Sequence, residues 1–257
     1  MEELRKQFFG PSGFQYEIRE ENGADEEILS NLASIKKGTN ISEFISAIVV
    51  DTNFTESGKL TVEDVLNLPM LDRYAILLQS RIFSLGNMLE FVYEWPNIGP
   101  VRYEQDLEEL IFEDYGHAIP EEEKKAKPNA LPVYPDLEVA IACNFKDYEV
   151  TLSTGKTIKF DYLNGNSEKY LLGIPEDKQT RNSDLMARNL HLKVGNHWDR
   201  VEKFSVFSIK EMAEMRKVIS ELDPVWLGLT EVENPETGEI NKVPVMAQPR
   251  FFYLTEA

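Results

Sequence analysis

Cysteine is nearly absent from this sequence: Cys143 is its one thiol, which excludes an internal disulfide. Histidine is almost as scarce, with only His117, His191 and His197, so a transition metal would find few soft ligands. Positive charge is also short. Against 45 Asp and Glu stand 27 Lys and Arg, a formal net charge of −18, and a polyanionic backbone would be repelled over most of such a surface. Nucleic acid is therefore not an expected partner. No run approaches the roughly eighteen apolar residues of a membrane helix. The opening MEELRKQFFGPSGF has neither the apolar core nor the small-residue cleavage site of a signal peptide. Neither membrane insertion nor export is expected, and synthesis in a cytoplasm fits the thiol content.

The common chemical motifs are missing as well. GNSEKYLLG lacks the lysine-hydroxyl ending of a phosphate loop, and GxSxG does not occur. DTNFTESGKLTVED imitates a calcium loop only loosely, because its glycine and final acid are misplaced, and it reads better as a turn followed by a helix cap. His191 and His197, with Asp199 or Glu202, could supply metal ligands, but their spacing is not that of HExxH. Glu94, Glu104 and Asp106 could flank a groove, and a solvated strand face accounts for them equally well. No cofactor or metal site is assigned, and the expectation is a protein without catalysis.

What is present is enough apolar surface to fold: 42% of 257 residues, including 14 Phe, 10 Tyr and 3 Trp. Residues 1–22 carry Phe8, Phe9, Phe14 and Tyr16 among Gly10, Pro11 and Gly13 without a sustained period, an arm that docks on its own body or on a neighbour. Asp25 to Lys37 reads as one helix ended by Gly38. Asn40 and Glu43 make a candidate capping box for a second helix, and Thr61 with Asp64 a cap for a third. Pro69 interrupts, and LDRYAILLQSRIFSLG is a broadly buried helix closed by Gly86.

After Gly86 the period becomes two. MLEFVYEW, the turn PNIGP and VRYEQDLEEL predict a hairpin. Gly116 to Pro135, with four prolines and a charged block, has little to bury and reads as a connector. LEVAIACNF, with Cys143 as an inert buried thiol, YEVTLST and KTIKFDYL predict a three-strand meander. Short helices follow at Ser167–Leu172 and Ser183–Leu190. Ser208 and Glu211 box a longer helix, and Asp223-Pro224 start another through Trp226 and Leu229. TEVEN and EINKVPVMA form a last hairpin before Phe251-Phe252-Tyr253. The class is α+β: an arm (1–22), a helical lobe with a hairpin (23–115), the connector (116–135), and a mixed sheet-and-helix lobe with a C-terminal hairpin (136–257).

The stretch LTVEDVLNLPMLDRYAILLQSRIFSLG resembles the T4-type baseplate hub subunits and related assembly proteins of contractile-tailed phages, through Asp72-Arg73, Arg81 and Ser84-Leu85-Gly86. DEEILSNLASIKKG and the order of elements through FFY extend the likeness loosely. A bland construction gives the same residues: Asp72 capping a helix, Arg73 and Arg81 covering its face, Gly86 ending it. The resemblance implies CxxC-like pairs on the hairpins. The matching regions here, Tyr93–Asp106 and Val232–Met246, have no cysteine, so aromatic cover by Tyr93, Trp95 and Tyr103 stands in that place.

The resemblance also implies a structural subunit of the tail baseplate, made in the host cytoplasm and built into the virion. Its partners would be other baseplate and tail proteins, with homo-oligomerisation left open. Phe8, Phe9, Trp95, Tyr103, Phe251 and Phe252 are candidate interface anchors. A transient assembly chaperone and a metal-dependent hydrolase using His191 and His197 are the alternatives.

Overall fold

Tyr16 and Ile18 alternate in a five-residue strand and have no exposed surface, so the opening tract is anchored by two core side chains, each contributing about 1.5–3 kcal/mol by burial. The computed structural model describes residues 4–12, 14–110, 148–223, 228–245 and 249–252. In it β1 (Arg5–Phe9) and β2 (Gln15–Arg19) form an antiparallel hairpin, and β2 also pairs with β3 (Val49–Thr52). The tract expected as an aperiodic arm is thus a strand pair on the chain's own body. Its period was hidden by the Gly10-Pro11-Ser12 turn.

Between these strands the single helix expected over 25–37 is two: α1 (Gly23–Leu29) and α2 (Leu32–Lys37). Ser30 Oγ donates back to the Glu26 carbonyl at 2.8 Å, and Asn31 Oδ1 accepts from Ala33 N at 2.9 Å. Short polar side chains that satisfy the backbone locally end one helix and cap the next. α3 (Asn40–Ile48) follows, but Asn40 does not box with Glu43. It lies inside the helix, and Glu43 instead accepts from Thr39 Oγ1 and Ser34 Oγ, both at 2.7 Å. At α4 (Val62–Leu66) the Thr61–Asp64 box forms as expected.

α5 (Met70–Leu85) runs from Pro69 to Gly86. β4 (Met88–Trp95) and β5 (Gly99–Asp106) pair from Met88↔Asp106 to Trp95↔Gly99, the predicted hairpin. The 116–135 connector, the strand predicted at 137–145, Cys143 and His117 fall outside the described residues.

Among the described residues a further sheet has four antiparallel strands in sequence order: β6 (Tyr148–Thr151), β7 (Thr157–Phe160), β8 (His191–Val194) and β9 (His197–Arg200). The last two are four residues each, too short for the alternation of HLKV to announce a strand, and HWDR ends on two charged residues. Between β7 and β8 lie α6 (Gly165–Leu172) and α7 (Ser183–Ala187). α8 (Ile209–Leu222) opens with the expected Ser208–Glu211 box. Leu229, expected at the end of another helix, belongs to β10 (Leu229–Glu233), which pairs with β11 (Ile240–Pro244). α9 (Pro249–Phe252) ends the described chain.

The protein is α+β, with helices and strands mixed in the N-terminal region and a hairpin at the C-terminal end. Among the described residues the buried apolar side chains fall into two clusters. One gathers residues 16–107 with Tyr162, Val232, Val243, Val245 and Phe251; the other lies between the β6–β9 sheet and α8. Val232, Val243 and Val245 at the terminal hairpin and Phe251 of α9 therefore belong to the first core.

Candidate functional site

α5 is apolar on most of its circumference and buried for most of its length, so any polar side chain on it must find a partner inside the protein. Four do. Asp72 accepts from Ser12 N at 2.9 Å, from Ser12 Oγ, and from Tyr16 Oη at 2.6 Å. Burial outweighs these donors and pushes its carboxyl up to about 6. Tyr16, buried beside that carboxylate, has its hydroxyl pushed well up too. The β1–β2 turn comes so close that a Cβ on Gly10 would stand 2.8 Å from the Asp72 carboxyl. Asp72 is not a helix cap; it is the socket for the opening hairpin.

Arg73 points elsewhere. Its Nη1 donates to Ser42 Oγ at 3.0 Å and to the Val65 carbonyl at 2.9 Å, and its Nη2 pairs with Glu168 at 2.9 Å. One guanidinium thus joins α3, α4, α5 and α6, a use of its fixed fork that lysine could not reproduce. Ser80 Oγ donates to Glu21 Oε1 at 2.6 Å, and Glu21 N donates to Ser84 Oγ at 2.9 Å. Arg81 Nη1 donates to the Gly86 carbonyl at 2.7 Å and Nη2 to the Met88 carbonyl at 3.2 Å, so it fastens the helix end to β4. Gly86 ends the helix at φ 85°. Arg73 and Arg81 do not cover the helix face: they are 2% and 3% exposed.

A second junction joins β4–β5 to β10–β11. Trp95 Nε1 donates to Tyr103 Oη at 2.7 Å, and Tyr103 Oη donates to the Glu233 carbonyl at 2.7 Å. Asn241 Nδ2 reaches Tyr93 Oη at 3.2 Å, and Thr230 Oγ1 donates to Gln105 Oε1. The Tyr93 and Trp95 rings meet edge to face at 4.9 Å. Aromatic side chains fasten one ribbon to the other, each with its polar tip satisfied.

The six expected interface anchors separate accordingly. Trp95 and Phe251 are buried in the chain's own core. Phe8, Tyr103 and Phe252 are partly buried against that core, and Phe9 is 59% exposed. Aromatic residues close large apolar areas, and here the nearest area is internal.

His191 and His197 do not converge. His191 pairs with Arg200 and holds its Nδ1 2.6 Å from the Asn189 carbonyl, while His197 pairs with Val194 and lies exposed 3.4 Å from Asp199. Among the described residues no three His, Cys, Asp or Glu side chains gather as a metal site, and no helix is long and apolar enough to cross a membrane.

The sequence reading missed the buried Arg188–Asp223 pair. Asp223 also accepts from Leu163 N at 2.7 Å, and both partners are at most 3% exposed. An Asp directly before Pro224 signals a cap, which concealed this role. Geometry of this kind defines a framework built on buried polar junctions. Comparison with family models, with curated proteins and with solved structures finds no match to the chain.

Proposed function

We propose that the chain is a non-enzymatic structural subunit of the baseplate, in the hub region, of a contractile phage tail. The reading rests on the resemblance carried by residues 60–86. The observation that supports it most is that Asp72, Arg73 and Arg81, the charged residues through which the resemblance runs, are buried and tie α5 to the opening hairpin, to α3, α4 and α6, and to β4. Such residues serve shape, and shape is what a subunit offers its neighbours. Contacts with other baseplate and tail proteins would run over the β1 edge, which no described strand pairs, and over the outer sides of the hairpins.

Cross-linking and mass spectrometry of purified particles tests this. The chain is expected in mature virions, cross-linked from β1 and β4–β5 to other tail proteins. Presence in tail intermediates and absence from finished particles would replace the subunit with a transient assembly chaperone. Absence from both would end the tail reading altogether. The hydrolase alternative would require stoichiometric metal and an activity lost in both His191→Ala and His197→Ala.

A further inference from the structure

Two neighbouring helix ends present large apolar side chains to solvent. On α2, Leu32, Ile35 and Lys36 stand at i, i+3 and i+4 and so share one face. Ser34 lies on the opposite side and donates to Glu43 of α3 at 2.7 Å, so α2 leans on α3 and leaves the Leu32 face outward. Gly38 closes α2 at φ 66°. A Cβ there would meet Lys169 Cγ at 3.7 Å and Leu172 Cδ1 at 3.8 Å, which sets the end of α6 beside the last turn of α2. Leu32 and Leu172 are 73% and 69% exposed, with Ile35 exposed between them. Lys36, Lys37 and Lys169 border this strip and are exposed as well. Lys36 and Lys169 make no ion pair among the described residues, while Lys37 acts through space on Glu43, whose carboxylate Thr39 and Ser34 already hold. An apolar strip bordered by unpaired ammonium groups fits an apolar side chain flanked by carboxylates.

The tip of the β10–β11 hairpin has that chemistry. Ile240 is 57% exposed and stands directly opposite Glu233, and Glu236 and Glu239 are exposed on the turn between the strands. None of these three glutamates makes an ion pair among the described residues. The turn is held rigid from within. Asn234 Oδ1 accepts from Glu236 N at 2.9 Å and from Thr237 N at 3.1 Å, and the Asn234 backbone exchanges hydrogen bonds of 2.8 Å with the Glu239 carbonyl and Gly238 N. A tip fixed in advance loses little conformational freedom when it docks. Within one copy the hairpin is committed to β4–β5 through Tyr103 and Asn241, which leaves its tip for a neighbour.

We propose that the β10–β11 tip of one copy docks on the Leu32–Ile35–Leu172 strip of a second copy of this chain, with Ile240 on the strip and Glu236 and Glu239 facing Lys36 and Lys169. Charge complementarity selects this occupant, because the carboxylates and the ammonium groups involved are both uncompensated within their own copy. An anionic membrane is the poorer occupant, since the net charge of −18 opposes the approach of the whole chain to it. The two surfaces differ, so the contact is heterologous and propagates head to tail, into a closed ring or an open filament. This self-association goes beyond the tail reading and stands or falls without it.

Sedimentation velocity of the full chain over a concentration series, from about 0.05 M to about 0.5 M NaCl, tests the proposal. Wild type is expected to associate at low salt and to fall to the 29.5 kDa monomer at high salt. Lys36→Glu/Lys169→Glu and Glu236→Lys/Glu239→Lys should each weaken self-association at least about tenfold, with unchanged thermal melting. Mixed in equal amounts the two variants should associate again, because each offers the charge that the other lacks. Leu32→Ser/Leu172→Ser, which leaves every charge in place, should weaken association too. A wild type that is monomeric throughout, charge variants that associate as wild type does, or a mixture that fails to recover association would each overturn it. So would wild type that stays monomeric yet binds phosphatidylserine vesicles through Lys36 and Lys169.

Discussion

Tyr103 Oη donates to the Glu233 carbonyl at 2.7 Å across 130 positions of sequence, while accepting from Trp95 Nε1. One hydroxyl therefore holds the aromatic face of the β4–β5 hairpin to the backbone of the β10–β11 hairpin. The aromatic cover expected from Tyr93, Trp95 and Tyr103 takes this form: a hydrogen-bonded relay and an edge-to-face ring pair.

Tyr103→Phe should keep the ring packing and remove the relay, leaving the Trp95 N–H and the Glu233 carbonyl without this partner. The expected loss is about 1–2 kcal/mol, seen as a lower urea midpoint at unchanged slope. A midpoint equal to wild type would show that water replaces the hydroxyl without cost.

Asp72 and Glu211 should respond to pH in opposite senses. Burial raises Asp72 to about 6, above its unfolded value near 3.9. The stability it contributes is complete below about pH 4 and is lost as pH rises through about 6, by up to roughly 3 kcal/mol. Asp72→Asn, whose amide can donate to Ser12 Oγ and Tyr16 Oη, should flatten that limb of the stability profile. An unchanged slope between about pH 4 and 6 would mean that the hairpin socket binds no extra proton.

Glu211 is the contrasting case. Hydrogen bonds from Thr154 Oγ1, Ser208 N and Lys156 Nζ hold its carboxyl down to about 2. Its contribution is present above about pH 4.3 and lost as pH falls through 2. Glu211→Gln should be less stable than wild type at neutral pH, the difference closing in acid. Equal chemical-denaturation midpoints at neutral pH would contradict this.

Gly165→Ala should be destabilising by about 1–3 kcal/mol. The added Cβ would sit 2.8 Å from Arg73 Nη1 and 3.0 Å from the Leu66 Cα, where backbone cannot yield. Calorimetry is the check, and a melting temperature within error of wild type would show that α6 can shift away from Arg73.

Asp223→Ala strands the Arg188 guanidinium and should cost about 3–5 kcal/mol. Arg188→Met combined with Asp223→Ala should recover much of that loss, because the uncompensated charge is gone. A double variant less stable than the single one would show that the pair is held by its surroundings more than by its own charges.

What the sequence determined by itself was local. The boxes at Thr61–Asp64 and Ser208–Glu211, the extent of α5 between Pro69 and Gly86, and the two hairpins at 88–106 and 229–244 rest on residues a few positions apart, and hydrogen-bond capping and side-chain period act at that range. Errors arose where short polar residues could satisfy the backbone in more than one way, at Ser30-Asn31 and Asn40, and where strands of four residues were too short for a period to be read, at β8 and β9.

Only the tertiary structure decided which distant groups met. Nothing near Asp72 in sequence names Ser12 and Tyr16, nothing near Arg73 names Glu168, and the choice of Trp95 and Phe251 for core over surface depended on the last hairpin returning to the first lobe. A buried polar group needs a partner, but the partner's identity is fixed by chain path, and a sheet face becomes a surface only when the opposite face has been covered.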